Sequence, residues 1–174
     1  MKSWITPTVT IVTSVIPTVA HSTIYLSVEE AQRILFPHAQ FQPLSLHLTE
    51  EQKKAIEEFS GAPFSPGTVQ VWKAIPGGYF FVDRVLGKHQ YFTYALALGP
   101  KGEILGLEIL TYSESHGGEV RRPAWKTQFL GKRFATPPQW QFNITNITGA
   151  TLSCKHLTSG VRRLLAIYHY ALAH

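Results

Sequence analysis

The sequence predicts one α+β domain: an antiparallel sheet meander flanked by two N-terminal helices and a long C-terminal helix, with a long loop set aside for function. Three observations carry this reading. Four strand-like segments between Val69 and Thr111 follow one another through turn signals rather than crossover segments, which favours antiparallel pairing. Two Ser/Thr-x-x-Glu/Gln capping boxes precede them. From Thr151 onward, apolar residues recur at the helical period. At 174 residues with 44% hydrophobic content, the chain is large enough to bury one core.

The first twenty-two residues differ from the rest. Met1-Lys2 gives a minimal positive start, Trp4 to Ala20 is uncharged and rich in Val, Ile and Thr, and Thr18-Val19-Ala20 suits a cleavage site. Residues 1–22 are therefore expected to be a signal peptide or membrane anchor, and residues 23–174 the folded domain. The plainer alternative is a Thr/Val-rich first strand or tail. Ser27-Val28-Glu29-Glu30 opens a helix that Pro37 ends near Phe36, because the residue before a proline is pushed out of helical geometry. Phe41 to Leu48 reads as a short strand. Thr49-Glu50-Glu51-Gln52 opens a second helix reaching about Phe59, before Gly61 and Pro63. Strands are expected over Val69–Ile75, Tyr79–Leu86, Phe92–Leu98 and Glu103–Thr111, with turns at Gly77-Gly78 and Gly99-Pro100-Lys101-Gly102. In the last of them Leu105, Leu107 and Ile109 should share a face. In the final helix Leu157, Val161, Leu164, Leu165, Tyr168 and Leu172 form the apolar face, and Lys155, Arg162, Arg163 and His169 the opposite one.

Between Tyr112 and Asn146 the periodicity breaks down for longer than a plain connector requires, which points to a functional loop or cofactor wrap. Within it, Gly117-Gly118 permits close backbone approach to a planar ring, and Glu114, His116 and Trp125 offer polar and stacking groups. His116 reads equally as a surface histidine, and Trp125 reads as a core filler ahead of a stacking group. At the helix start, Thr148-Gly149-Ala150-Thr151-Leu152-Ser153 forms a tight loop that delivers a hydroxyl to a helix N-terminus. Free N–H groups and partial positive charge there suit a phosphate, while a simple N-cap is the alternative role for the threonine.

A formal charge of +5 favours an anionic ligand or surface. The basic residues are scattered and no nucleic-acid module accompanies them, so nucleic acid is not an expected partner. Arg121, Arg122, Lys126, Lys132 and Arg133 read as a solvated face near an anionic ligand. The single cysteine, Cys154, excludes an intramolecular disulfide and reads as a small buried side chain. The histidines have no metal-ligand spacing, and no P-loop or nucleophile elbow is present.

Thr148-Gly149-Ala150-Thr151 resembles the Ser/Thr-Gly-Ala-Thr motif of the FMN-binding domain family, which includes the covalent-flavin subunits of sodium-pumping quinone reductases and Rnf complexes and small stand-alone domains. The run Ser113 to Pro123 and the segment Phe129-Leu130-Gly131-Lys132 are also similar to the stand-alone members, and the order of segments is similar from about Tyr25 to Tyr170. The resemblance implies that residues 23–174 bind FMN, and that a flavin transferase moves FMN from FAD onto Thr151 as a phosphoester. It also implies that the loop from Glu114 to Gly118 covers the isoalloxazine ring. Thr145 stands where the family usually has Asp. The function so implied is that of an exported, periplasmic or membrane-associated electron carrier rather than a stand-alone enzyme. Its redox partner would be a quinone oxidoreductase, a cytochrome or another flavin domain. A non-covalent FMN-binding reductase-like domain and a non-flavin sensor or adaptor of the same fold are the alternatives.

Overall fold

The computed structural model describes residues 23–114 and 116–173; the expected signal or anchor segment lies outside the described residues. Among the described residues the strands and α-helices follow in the order β1 (Thr23–Ile24), α1 (Val28–Leu35), β2 (Gln40–Leu44), α2 (Glu50–Ser60), β3 (Gln70–Ile75), β4 (Tyr79–Leu86), β5 (Tyr91–Leu98), β6 (Ile104–Tyr112), α3 (Pro123–Lys126) and α4 (Thr151–Ile167). The strands form one antiparallel sheet in the order β1-β6-β5-β4-β3-β2. The α+β class and the meander of β3 to β6 are as the turn signals predict. Among the described residues, no helix is long and apolar enough to cross a membrane.

Both capping boxes form. Ser27 Oγ accepts from Glu30 N at 3.1 Å while Glu30 Oε2 accepts from Ser27 N at 2.7 Å, and Thr49 with Gln52 repeats the exchange. The strand expected over Phe41 to Leu48 is shorter than its apolar pattern, ending at Leu44; Pro43 is tolerated because β2 lies at the sheet edge. β1 has no sequence signal of its own and exists by pairing with the end of β6.

The sheet is covered on both faces. α1 lies on one, where Ala31 meets Phe80, Val82, Ala95 and Leu110. The larger core lies on the other, where α4 contributes Leu157, Val161, Leu164 and Leu165 against Phe81, Phe92, Tyr94 and Leu96. Each fully buried side chain of this size contributes about 1.5–3 kcal/mol. Two register shifts in the β5–β6 ladder correct the expected alternation in β6. Ala97 pairs with Gly106 and Leu98 with Ile104, so Leu105 has no partner; it is 44% exposed while Leu107 and Ile109 are buried.

The polar face expected on α4 also needs correction, because Arg163 is buried. Its Nη2 donates to Asp83 Oδ2 at 2.6 Å and its Nε to the same oxygen at 3.2 Å, while Tyr94 Oη donates there at 2.8 Å. Burial pushes the Asp83 carboxyl above its ordinary range, and the guanidinium and the tyrosine hydroxyl pull it back. Helix and sheet meet closely beside this pair: a Cβ on Gly160 would lie 2.6 Å from Tyr94 Oη and 2.7 Å from Val85 Cγ1. Arg162 instead donates to Phe59 O and lies over the Phe59 ring, tying α4 to α2.

Removing one partner of a buried ion pair leaves an uncompensated charge in a low-dielectric interior. Asp83→Ala should therefore cost about 3–5 kcal/mol in urea unfolding. Asp83→Ala combined with Arg163→Met should cost less than Asp83→Ala alone, which separates loss of the pair from loss of packing.

Candidate functional site

α4 begins without help from a side chain. Its N-cap is Ala150, and among the described residues no side chain caps its leading backbone N–H groups. The first backbone bond into the helix is Cys154 N to Ala150 O, so the leading N–H groups have no acceptor within the helix. Thr151 is thus not an N-cap. It is the first helical residue, with an exposed side chain whose Oγ1 accepts from Asn146 Nδ2 at 3.0 Å. Gly149 reaches this turn at φ +84°, a left-handed conformation that strains any residue with a Cβ.

Ala150 packs close to Gly117. A Cβ on Gly117 would sit 3.3 Å from Ala150 Cβ and would collide with the Tyr112 hydroxyl. Tyr112, the last residue of β6, holds the two segments together. Its hydroxyl donates to His116 O at 2.8 Å, so the 3.0 Å contact with Ser153 Oγ has serine as donor. Burial raises the Tyr112 hydroxyl above the usual phenol range, which keeps it a donor. Cys154 is fully buried beneath this turn, and burial likewise raises its thiol.

Two adjoining clefts open here. One, of about 500 Å³, is lined by Lys88, His89, Glu114, His116 and Gly149 to Ser153. The other, of about 550 Å³, is lined by His116 to Glu119, Arg121, Arg122, Thr148 and Gly149. They meet at His116 and Gly149. Both volumes fall within the roughly 300–1,000 Å³ typical of small-molecule sites.

Of the residues singled out from sequence, Thr148, Gly149, Ala150, Thr151, Leu152, Ser153, Glu114, His116, Gly117 and Gly118 all line these clefts, although two separate stretches supply them. Trp125 does not. It is buried against Phe129 with ring centroids 5.2 Å apart, and its Nε1 donates to Thr145 O at 2.8 Å, so it occupies the core position that the sequence left open to it. Thr145, in the place of the family's Asp, gives both its N–H and its hydroxyl to Gln128 Oε1 at 2.9 Å.

The expected basic face meets the clefts only in part. Lys126 is paired with Glu108, and Lys155 lies 5.7 Å from the Trp140 ring centroid; neither lines the clefts. Lys88, Arg121 and Arg122 do. Arg121 is held 3.4 Å over the Tyr25 ring. Lys88 and His89 belong to the β4–β5 turn, and nothing in their sequence indicates which end of the sheet that turn would face. Glu114 fixes this turn: its Oε1 accepts from His89 N at 2.7 Å and Gln90 N at 3.1 Å. Its carboxylate is thereby a brace for the wall that carries Lys88.

Partial burial works to raise the Glu114 pKa, but the backbone donors of the turn outweigh it and hold the group below its ordinary value of 4.5. With the folded value depressed, the stability this brace supplies is fully present above the ordinary value and is lost as pH falls through the lower folded one. The amide proton shifts of His89 and Gln90 should titrate together, with a midpoint below 4.5, in an NMR pH series. Glu114→Gln should abolish that titration.

The residues present fit a flavin phosphate on three counts: an uncapped helix start, a lysine on the facing wall, and glycines where backbones approach most closely. Comparison with known proteins bears on the cofactor. The sequence model of the FMN-binding domain family matches residues 87–166, a span that runs from the β4–β5 turn through both clefts and most of α4. No curated protein matches the chain significantly. Residues 87–166 carry the sequence pattern of the FMN-binding domain family, and the cofactor of this flavoprotein is FMN.

Proposed function

We propose that this protein is an exported electron carrier with FMN joined to Thr151 through a phosphoester. The observation that supports this best is the condition of the α4 N-terminus. Thr151 is exposed at a helix start that no side chain caps among the described residues, in a cleft that also contains Lys88. Unbonded N–H groups and the positive end of the helix dipole favour a phosphodiester there, and a lysine adds a charge-assisted partner.

Asn146 donates to Thr151 Oγ1, which leaves the threonine proton available to be removed. In the attachment step, the Thr151 oxygen forms a bond to phosphorus and the pyrophosphate bond of FAD breaks. AMP leaves and the hydroxyl proton is released. A flavin transferase is the catalyst of this step. When bound, the flavin supplies one- and two-electron chemistry, and the protein contributes position and electrostatics. The redox partner is a quinone oxidoreductase, a cytochrome or another flavin domain. Residues 1–22 direct the chain across the membrane or anchor it there. A second reading, FMN held without a covalent bond, draws on Thr145 and its hydrogen bonds to Gln128 in place of the family's acidic residue.

Co-expression with a flavin transferase, followed by denaturation, intact mass and in-gel fluorescence, tests the attachment. Wild type should gain the mass of one FMN phosphoester on the peptide containing Thr151. Thr151→Val, nearly isosteric, should lose it without losing the fold. Fluorescence retained by denatured Thr151→Val would overturn the assignment. Independently, Lys88→Gln should weaken non-covalent FMN binding by the unmodified protein about tenfold in a flavin fluorescence titration, the loss expected for one charge-assisted contact.

A further inference from the structure

A third cavity, of about 580 Å³, lies on the flank of α4 beyond the flavin clefts and shares no lining residue with them. The hydrogen-bonding contact of His156 Nδ1 with Leu86 O, at 2.6 Å, joins helix to sheet between Lys88 of the flavin cleft and Arg84 of this cavity. Phe64, Val85, Leu86 and Tyr91 supply apolar surface. Tyr91 is 59% exposed and Leu86 39%, which is unusual for two large apolar residues side by side at a cavity.

The charge in this cavity has one sign. Arg84, Lys155 and Arg163 line it, and no Asp or Glu does. Arg163 is neutralised from beneath by Asp83. Arg84 and Lys155, in contrast, make no ion pair among the described residues. Arg84 lies 5.2 Å from the Tyr91 ring centroid, which places a guanidinium and an aromatic face together. Glu57, another acidic group tied to the cavity wall, is committed to Phe64 N at 2.8 Å. An apolar wall with two unpaired cations is complementary to a molecule with an apolar body and one negative charge.

We propose that this cavity is a second ligand site, specific for an amphipathic carboxylate, with Arg84 and Lys155 holding the carboxylate and Phe64, Leu86 and Tyr91 the apolar body. The site is separate from FMN binding. Isothermal titration of the full chain with decanoate tests it, with decyltrimethylammonium as a probe of the same chain length and opposite charge. Decanoate should bind with one site per chain, and the cationic probe should not. Arg84→Gln combined with Lys155→Gln should weaken decanoate at least tenfold, and saturating FMN should leave decanoate affinity unchanged. Equal affinity for the two probes, no loss in the double variant, no binding up to millimolar decanoate, or displacement by FMN would each overturn the proposal. Decanoate binding with no FMN binding in the same preparation would leave this site standing and count against the flavin site alone.

Discussion

The close seating of α4 on the sheet is the constraint on which the rest of the molecule depends. Gly160 brings the helix so near β4 and β5 that even a methyl group would strike Tyr94 and Val85. Such an approach buries the helix almost all round, including Cys154, Thr158 and Arg163. Burying an arginine requires a partner at hand, and Asp83 on β4 provides it. The pair is imperfect as an energetic device, since Asp83 Oδ1 is buried without a hydrogen bond. A buried pair of this kind is costly to break rather than strongly stabilising to make, and its effect is to disfavour any other register of α4 on the sheet.

With the helix so held, its N-terminus becomes a fixed point. Tyr112 ends β6 and bonds both His116 O and Ser153 Oγ, so the strand end, the glycine loop and the first turn of α4 are held together. Glu114, one residue past a strand-end neighbour, braces the β4–β5 turn from the other side. Three segments distant in sequence thereby enclose one exposed threonine. Among the described residues the polar side chains here serve positioning and leave the helix N–H groups without side-chain caps, which is the condition an anion site needs.

Much of the fold was legible because local rules and the tertiary structure agree. Ser27 with Glu30 and Thr49 with Gln52 act within one helical turn, and the glycine turns act within four residues, so nothing distant can override them. The Gly149-Ala150-Thr151 turn was legible for the same reason. Other features were hidden because they depend on a partner. Leu105 alternates correctly in sequence, but a register shift set by β5 removes it from the core. Arg163 reads as a surface residue until Asp83 is brought beneath it.

The sequence alone therefore determined the class of the fold and the start and end of most elements, because each of these follows from backbone preferences and periodicity over a few residues, and its motifs picked out most of the residues that line the two clefts. The tertiary structure decided which cations face the clefts, placing Lys88 and Arg121 there while Lys126 pairs with Glu108 and Lys155 rests near Trp140. It also decided that Trp125 serves the core, and that Tyr112 and Glu114 act as ties. These outcomes depend on which groups meet across the sheet. Charge and aromaticity act over a few ångströms of space, and one-dimensional spacing does not encode distances between strands and helices far apart in the chain.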